Sequence, residues 1–228
     1  MKMNRFHKQS GATLMEVLVA MTISLVATAA MIAMMSNSLG TTARIIKMTK
    51  LTDDMRVALQ MMTRDVRRSS YNANSMFCYA NENCATDGSG ISLPADVAIA
   101  DTNDCFTFLT DRDHDGDSTE NAAGGFRRVT DGDIGVIEMW TGDNAPDCTD
   151  AAGAAGWVEI TNPDNMDIFA FNVDDNLSYN QVILDNGTDT VSQRIRKIRM
   201  NIQGRLVIDN TIVREVEDVI NVRNDLLL

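Results

Sequence analysis

Between positions 111 and 120 the chain reads Asp111-Arg112-Asp113-His114-Asp115-Gly116-Asp117-Ser118-Thr119-Glu120, with acids at alternate positions and a glycine after the third. That spacing suits a hard cation. Oxygens from alternate residues converge on one centre and glycine permits the sharp turn, as in the first half of an EF-hand loop. The second half does not follow: the twelfth position from Asp111 is Ala122, where a bidentate glutamate would close the loop, and Glu120 stands two residues early. No helical pattern flanks the stretch. The sequence therefore predicts calcium at a strand-to-loop site, with Asp111, Asp113, Asp115, Asp117 and Glu120 as ligands. A solvated acidic turn is the alternative; mutual repulsion among five acids within ten residues weighs toward a cation.

Sulfur is the second candidate chemistry. Cys78, Cys84, Cys105 and Cys148 are an even set, which in an oxidising envelope reads as disulfides with three connectivities. The pairing expected is Cys78 with Cys84, closing a short loop, and Cys105 with Cys148, tying a strand to a loop after Trp140. Zinc is the rival, but there is no Cys-x-x-Cys pair and the two histidines are His7 and His114. No Ser-His-Asp set, phosphate-cradling glycine loop or His-rich metal site accompanies them, so neither catalysis nor an organic cofactor is expected.

The third chemically loaded residue is Glu16. From Val17 to Ala43, 27 residues pass without Asp, Glu, Lys, Arg, His or Pro, roughly 40 Å as a helix. That crosses a bilayer core. Lys2, Arg5, His7 and Lys8 precede it with no acid among them, so the N-terminus is placed in the cytoplasm and the bulk of the chain outside, in a single pass. A secretory signal cut near residues 27–30 and a plain signal anchor both explain the length and flanks. Neither explains a carboxylate in an apolar segment, which costs a few kcal/mol unless it is paired.

Lys8-Gln9-Ser10-Gly11 followed by Ala12-Thr13-Leu14-Met15-Glu16-Val17 resembles the leader of the type IV prepilin family, which includes the pseudopilins of type II secretion. The resemblance implies that a prepilin peptidase removes residues 1–11 by cutting between Gly11 and Ala12, and that Ala12 is then N-methylated. It also implies that Glu16, fifth from the cut, pairs with the N-terminal amine of a neighbouring subunit. The family most often has phenylalanine where this chain has Ala12. A buried carboxylate facing an ammonium is compensated, and the pairing can set the register between subunits.

Composition constrains the partners. The formal charge is −12, and removing residues 1–11 takes away Lys2, Arg5 and Lys8 and no acid, moving it to −15. Nucleic acid and anionic lipid are therefore not expected as electrostatic partners.

The elements that must carry these residues follow from periodicity. After Gly40, Ile45, Met48, Leu51, Met55, Leu59, Met62 and Val66 recur every three or four positions among charged residues. One helix of about 55 residues from Thr13 is predicted, its transmembrane half covering about 14–39 and its outer half amphipathic. Residues 69–74 break the pattern. Strands are predicted at 105–110, 126–130, 134–141, 157–161, 167–173, 193–203, 205–209 and 213–222, separated by Asp, Asn and Gly clusters. The fold expected is α+β and pilin-like, the outer helix packed on an antiparallel sheet. Its parts are a leader (1–11), the long helix (12–68) and a β-rich extracytoplasmic domain (69–228).

Met61-Met62-Thr63-Arg64-Asp65-Val66-Arg67-Arg68, the Asp-rich loop after a cysteine-containing strand, Trp157 before Ile160-Thr161, and Val222-Arg223-Asn224-Asp225 are similar to the minor pilins called PilW, relatives of the J-type minor pseudopilin. That resemblance implies a low-abundance subunit that helps to initiate a type IV pilus and sits near its tip. The alternatives are a J-type minor pseudopilin of type II secretion and a membrane-anchored sensor or adhesin. The partners implied are other minor and major pilins or pseudopilins, the prepilin peptidase and the inner-membrane assembly platform. The chain would begin in the inner membrane with its globular domain in the periplasm, and pass into an extracellular pilus or a periplasmic pseudopilus.

Overall fold

A computed structural model describes residues 11–69, 71, 97–110, 123–185, 190–223 and 226–227. Helix α1 (Leu14–Arg68) runs for 55 residues. Freedom from proline and a wealth of Ala, Leu and Met favour it throughout. Arg67 and Arg68 in its last turn oppose the negative end of the helix dipole, and Ser69 N–H closes the turn on the Val66 carbonyl at 3.0 Å.

The chain divides into two compact units, Met1–Lys47 and Met48–Leu228, and the boundary falls inside α1. In the first unit every described residue is exposed. In the second, Leu51, Met55, Ala58, Leu59, Met62 and Val66 are buried, which is the stripe that periodicity predicts. Met48 is half-buried, while Ile45, expected in the same stripe, stays exposed.

Among the described residues eleven strands follow, and all their pairings are antiparallel. The first sheet contains β1 (Ala98–Ile99), β2 (Cys105–Leu109), β3 (Ala123–Asp131), β4 (Ile134–Trp140) and β5 (Trp157–Glu159), paired in that order. The second places β9 (Lys197–Leu206) between β10 (Val213–Asn221) and β6 (Met166–Asp174). The third places β8 (Thr190–Ile195) between β11 (Leu226–Leu227) and β7 (Tyr179–Asp185).

Several boundaries differ from expectation, each for a physical reason. The run 193–203 is two strands in two sheets, parted at Arg196, which is buried and whose carbonyl accepts the Val222 N–H at 3.1 Å. The break expected at Gly204 is absent. Alternate residues of β9 from Ile198 to Leu206 are buried, and a Cβ on Gly204 would lie 3.0 Å from the Met55 sulfur, so this glycine admits the helix rather than ending the strand. The strand expected at 205–209 ends at Leu206, leaving Ile208 exposed in the turn to β10.

One core joins the outer part of α1 to the first two sheets. Phe106 lies at the centre of an aromatic group, 5.6 Å from Phe126 and 6.4 Å from Phe171 between ring centroids. The two sheets meet where β4 approaches β6. Gly135 N–H donates to the Asp167 carboxylate at 2.8 Å and Arg128 Nε donates to the Ile168 carbonyl at 2.6 Å. A β-bulge between Ile168 and Ala170 turns that carbonyl out of its own ladder.

Candidate functional site

The residues singled out around the start of α1 lie in one short stretch. Gly11, Ala12 and Thr13 are non-helical and exposed, and α1 begins at Leu14. A Cβ added to Gly11 would meet nothing within 4 Å. Nothing among the described residues therefore demands glycine here. The residue type and its accessibility suit recognition by another molecule.

Thr13 caps the helix. Its carbonyl accepts the N–H groups of Glu16 at 3.0 Å and Val17 at 3.1 Å, and its Oγ1 accepts Glu16 N–H at 3.3 Å. Thr13-x-x-Glu16 is thus the frame of a capping box, with Glu16 as the third helical residue beside the positive end of the dipole. Sequence reasoning missed this local role, although the spacing itself is the signal. Magnitudes decide whether it suffices. A carboxylate at a helix start gains about 0.3–1 kcal/mol, whereas one at the centre of a bilayer span loses about 2.5–3.5 kcal/mol and one near its end, as Glu16 is, loses less. Capping offsets part of that cost.

The hydroxyls of Thr22, Ser24 and Thr28 are satisfied within the helix. Thr22 Oγ1 donates to the Val19 carbonyl at 2.9 Å, Ser24 Oγ to Met21 at 3.0 Å and Thr28 Oγ1 to Ser24 at 2.7 Å. No donor among the described residues reaches the Glu16 carboxylate.

The second concentration of polar chemistry was not legible in the sequence. Arg127 on β3 and Glu138 on β4 are cross-strand partners and both are fully buried. Arg127 Nε donates to Glu138 Oε2 at 2.9 Å, its Nη1 to the Asp150 carbonyl at 2.6 Å and its Nη2 to the Ala151 carbonyl at 2.8 Å. Glu138 Oε1 accepts Gly153 N–H at 2.7 Å, and the guanidinium lies 4.1 Å from the centre of the Trp157 ring. The disulfide Cys105–Cys148 fastens the same loop, with Cα atoms 5.9 Å apart. Beside it, the Thr149 N–H and then the Thr149 hydroxyl bond to Asp147 and hold its carboxyl below the ordinary value. This cluster is spent on backbone groups and holds residues 141–156 in place. It offers no free nucleophile or base.

The expected pairing of Cys105 with Cys148 is present. Cys78, Cys84, Asp111, Asp113, Asp115, Asp117 and Glu120 lie outside the described residues. Among the described residues, no three Asp, Glu, His or Cys side chains gather as a metal site. By length and composition α1 has a stretch apolar enough to cross a membrane, and none of it is buried within the chain.

A family model described as prokaryotic N-terminal methylation motif matches residues 6–32, the stretch that contains Gly11, Ala12 and Glu16. A second, described as prepilin peptidase-dependent protein B, matches residues 44–222. No curated protein and no solved structure matches the chain.

Proposed function

The chain belongs to the family of prepilin peptidase-dependent protein B, and from that premise we propose that it is a minor pilin of a type IV pilus. Prepilin peptidase cuts between Gly11 and Ala12 on the cytoplasmic side of the inner membrane, and Ala12 becomes the N-methylated terminus. The chain then awaits assembly as a single-pass protein with residues 69–228 in the periplasm. Its role is structural: with the other minor pilins and the assembly platform it helps to start the fibre and stays near the tip. The resemblance to the PilW minor pilins supports that placement.

The observation that carries this reading is the Glu16 carboxylate, which accepts no bond among the described residues and stands in an apolar stretch where the hydroxyls of Thr22, Ser24 and Thr28 are satisfied. A subunit that lived alone in the bilayer would retain a cost that capping does not cover. A subunit entering a fibre brings Glu16 to a neighbour's ammonium, where the buried pair also fixes the stagger between subunits.

Mass spectrometry of the membrane-extracted protein tests processing. An N-methylated Ala12 terminus is expected, Gly11→Val should leave the leader attached, and an intact Met1 in cells with active prepilin peptidase would sink the pilin reading. Deletion of the gene distinguishes the two machines: loss of surface pili with secretion intact supports the pilus, and the reverse result assigns the chain to a type II pseudopilus.

A further inference from the structure

Between the outer turns of α1 and strand β10 lies an open groove of about 660 Å³. Its helix wall carries Arg56, Arg64, Arg67 and Arg68, and Arg223, just after β10, adds a fifth guanidinium. All five residues are exposed. Arg56, Arg64 and Arg68 belong to one four-residue row, so they stack along a single face. Arg64 Nε lies 3.2 Å from Asp65 in an exposed pair that contributes little. Among the described residues, no carboxylate pairs with Arg56, Arg67, Arg68 or Arg223.

Two acids also line the groove, and neither pairs with its five arginines: Asp218 accepts the Thr63 hydroxyl at 3.4 Å, and Glu217 stands 3.6 Å from Arg199. The helix dipole accounts for Arg67 and Arg68 in the last turn. It does not account for Arg56, three turns earlier, nor for Arg223 on a different element. Like charges four apart, as in Arg64 and Arg68, destabilise a helix. A chain of net charge −12 that gathers five arginines from two elements around one groove has a site complementary to acids.

Strand geometry defines the occupant further. Glu217 and Asp218 are consecutive, so their side chains point to opposite faces, yet both border the groove. The groove therefore opens on the edge of β10. That edge has no strand partner among the described residues, since the sheet order is β10-β9-β6. Of its outward-facing backbone groups, Val219 N–H donates to the Asp218 carboxylate and the Val213 carbonyl accepts from Arg214 Nη1, both at 2.9 Å and both exposed, so an added strand would exchange these side-chain bonds for backbone ones.

We propose that this groove docks an extended, carboxylate-rich segment of another fibre subunit, which lies along β10 while its acids meet Arg56, Arg64 and Arg223. The identity of the partner as a fibre subunit rests on the pilin reading; the chemistry of the segment rests on the groove alone. A nucleic acid strand fits less well, because it has no peptide backbone to pair with β10, and Glu217 and Asp218 would face its phosphates.

The full chain in detergent micelles can be titrated with a fluorescent (Glu-Val)5 peptide, a (Lys-Val)5 peptide and an oligonucleotide of equal negative charge. The acidic peptide should bind, weaken as salt rises and lose at least tenfold in affinity with Arg56→Glu plus Arg223→Glu, whose sites are exposed. Hydrogen exchange on the unaltered protein gives an independent readout: the acidic peptide should slow exchange of amides in residues 213–221. Unchanged binding in the double variant, no added protection of β10, or tighter binding of the oligonucleotide would each overturn the proposal. A retained Met1 in cells with active peptidase would instead remove the fibre partner while leaving the peptide result standing.

Discussion

The Arg127 guanidinium and the Glu138 carboxylate meet at 2.9 Å across β3 and β4, both with essentially no exposure to solvent. Removing one member of such a pair leaves a buried charge unmatched, a loss of about 3–5 kcal/mol. Arg127→Met should therefore lower the melting temperature sharply and change the emission of Trp157, over whose ring the guanidinium lies. Arg127→Met with Glu138→Leu should recover only part of the loss, because the Asp150 and Ala151 carbonyls and the Gly153 N–H also lose their partner. Full recovery in a double-mutant cycle would show that the loop does not depend on this pair.

At Gly135 the first two sheets approach closely. A Cβ there would lie 1.9 Å from the Ile168 carbonyl oxygen, a backbone atom that cannot rotate away. Gly135→Ala should cost about 1–3 kcal/mol by overpacking, whereas Gly153→Asn should be nearly silent, since nothing lies within 4 Å and asparagine tolerates its φ of +69°. Denaturant midpoints of the full chain in detergent would compare the two.

Reducing Cys105–Cys148 opens a link between residues 43 apart in the chain, worth about 4 kcal/mol in the chain-entropy account. The region of residues 141–156 should become protease-sensitive first, because only hydrogen bonds, chiefly those of Arg127 and Glu138, then hold it. Limited proteolysis with and without reductant, read by peptide mapping, checks the order. Cleavage elsewhere before this loop would contradict it.

Glu16→Val removes the carboxylate without altering the apolar run. Membrane insertion should be unchanged or easier, while the amount recovered in sheared fibres falls, because the missing partner belongs to a neighbouring subunit. Thr13→Ala is the control, since loss of the cap costs about 1 kcal/mol of helix start without touching the charge. Wild-type assembly of Glu16→Val would require another explanation for the residue.

Calcium binding by the acidic stretch that includes Asp111, Asp113, Asp115, Asp117 and Glu120 is a proposal from its residue types alone. Binding to the folded state would raise the melting temperature of the full chain in millimolar calcium relative to chelator. Without a bidentate glutamate at position 122, the affinity should be of the weak extracellular kind, about 10⁻⁴ to 10⁻³ M. Asp113→Ala with Asp115→Ala should abolish the shift. Equal shifts from calcium, magnesium and salt would leave a solvated acidic turn.

Local pattern was enough to determine α1, whose length and buried stripe from Leu51 to Val66 follow from composition and a 3.6-residue period. It was also enough for the alternation of β9. These features are written in consecutive residues, where periodicity is a local property of the chain. Tertiary structure alone decided that Gly204 continues a strand instead of ending one, because what matters there is the Met55 sulfur from a helix far away in sequence. It decided that Arg196 parts two sheets, and that β7, with Asn180 and Gln181 in its sequence, is a strand at all. It also decided that Arg127 faces Glu138. Each is ordinary in isolation, and only the register of β3 against β4 places them opposite one another. Register depends on pairing between distant segments, so a one-residue slip would have turned the same two side chains to different faces.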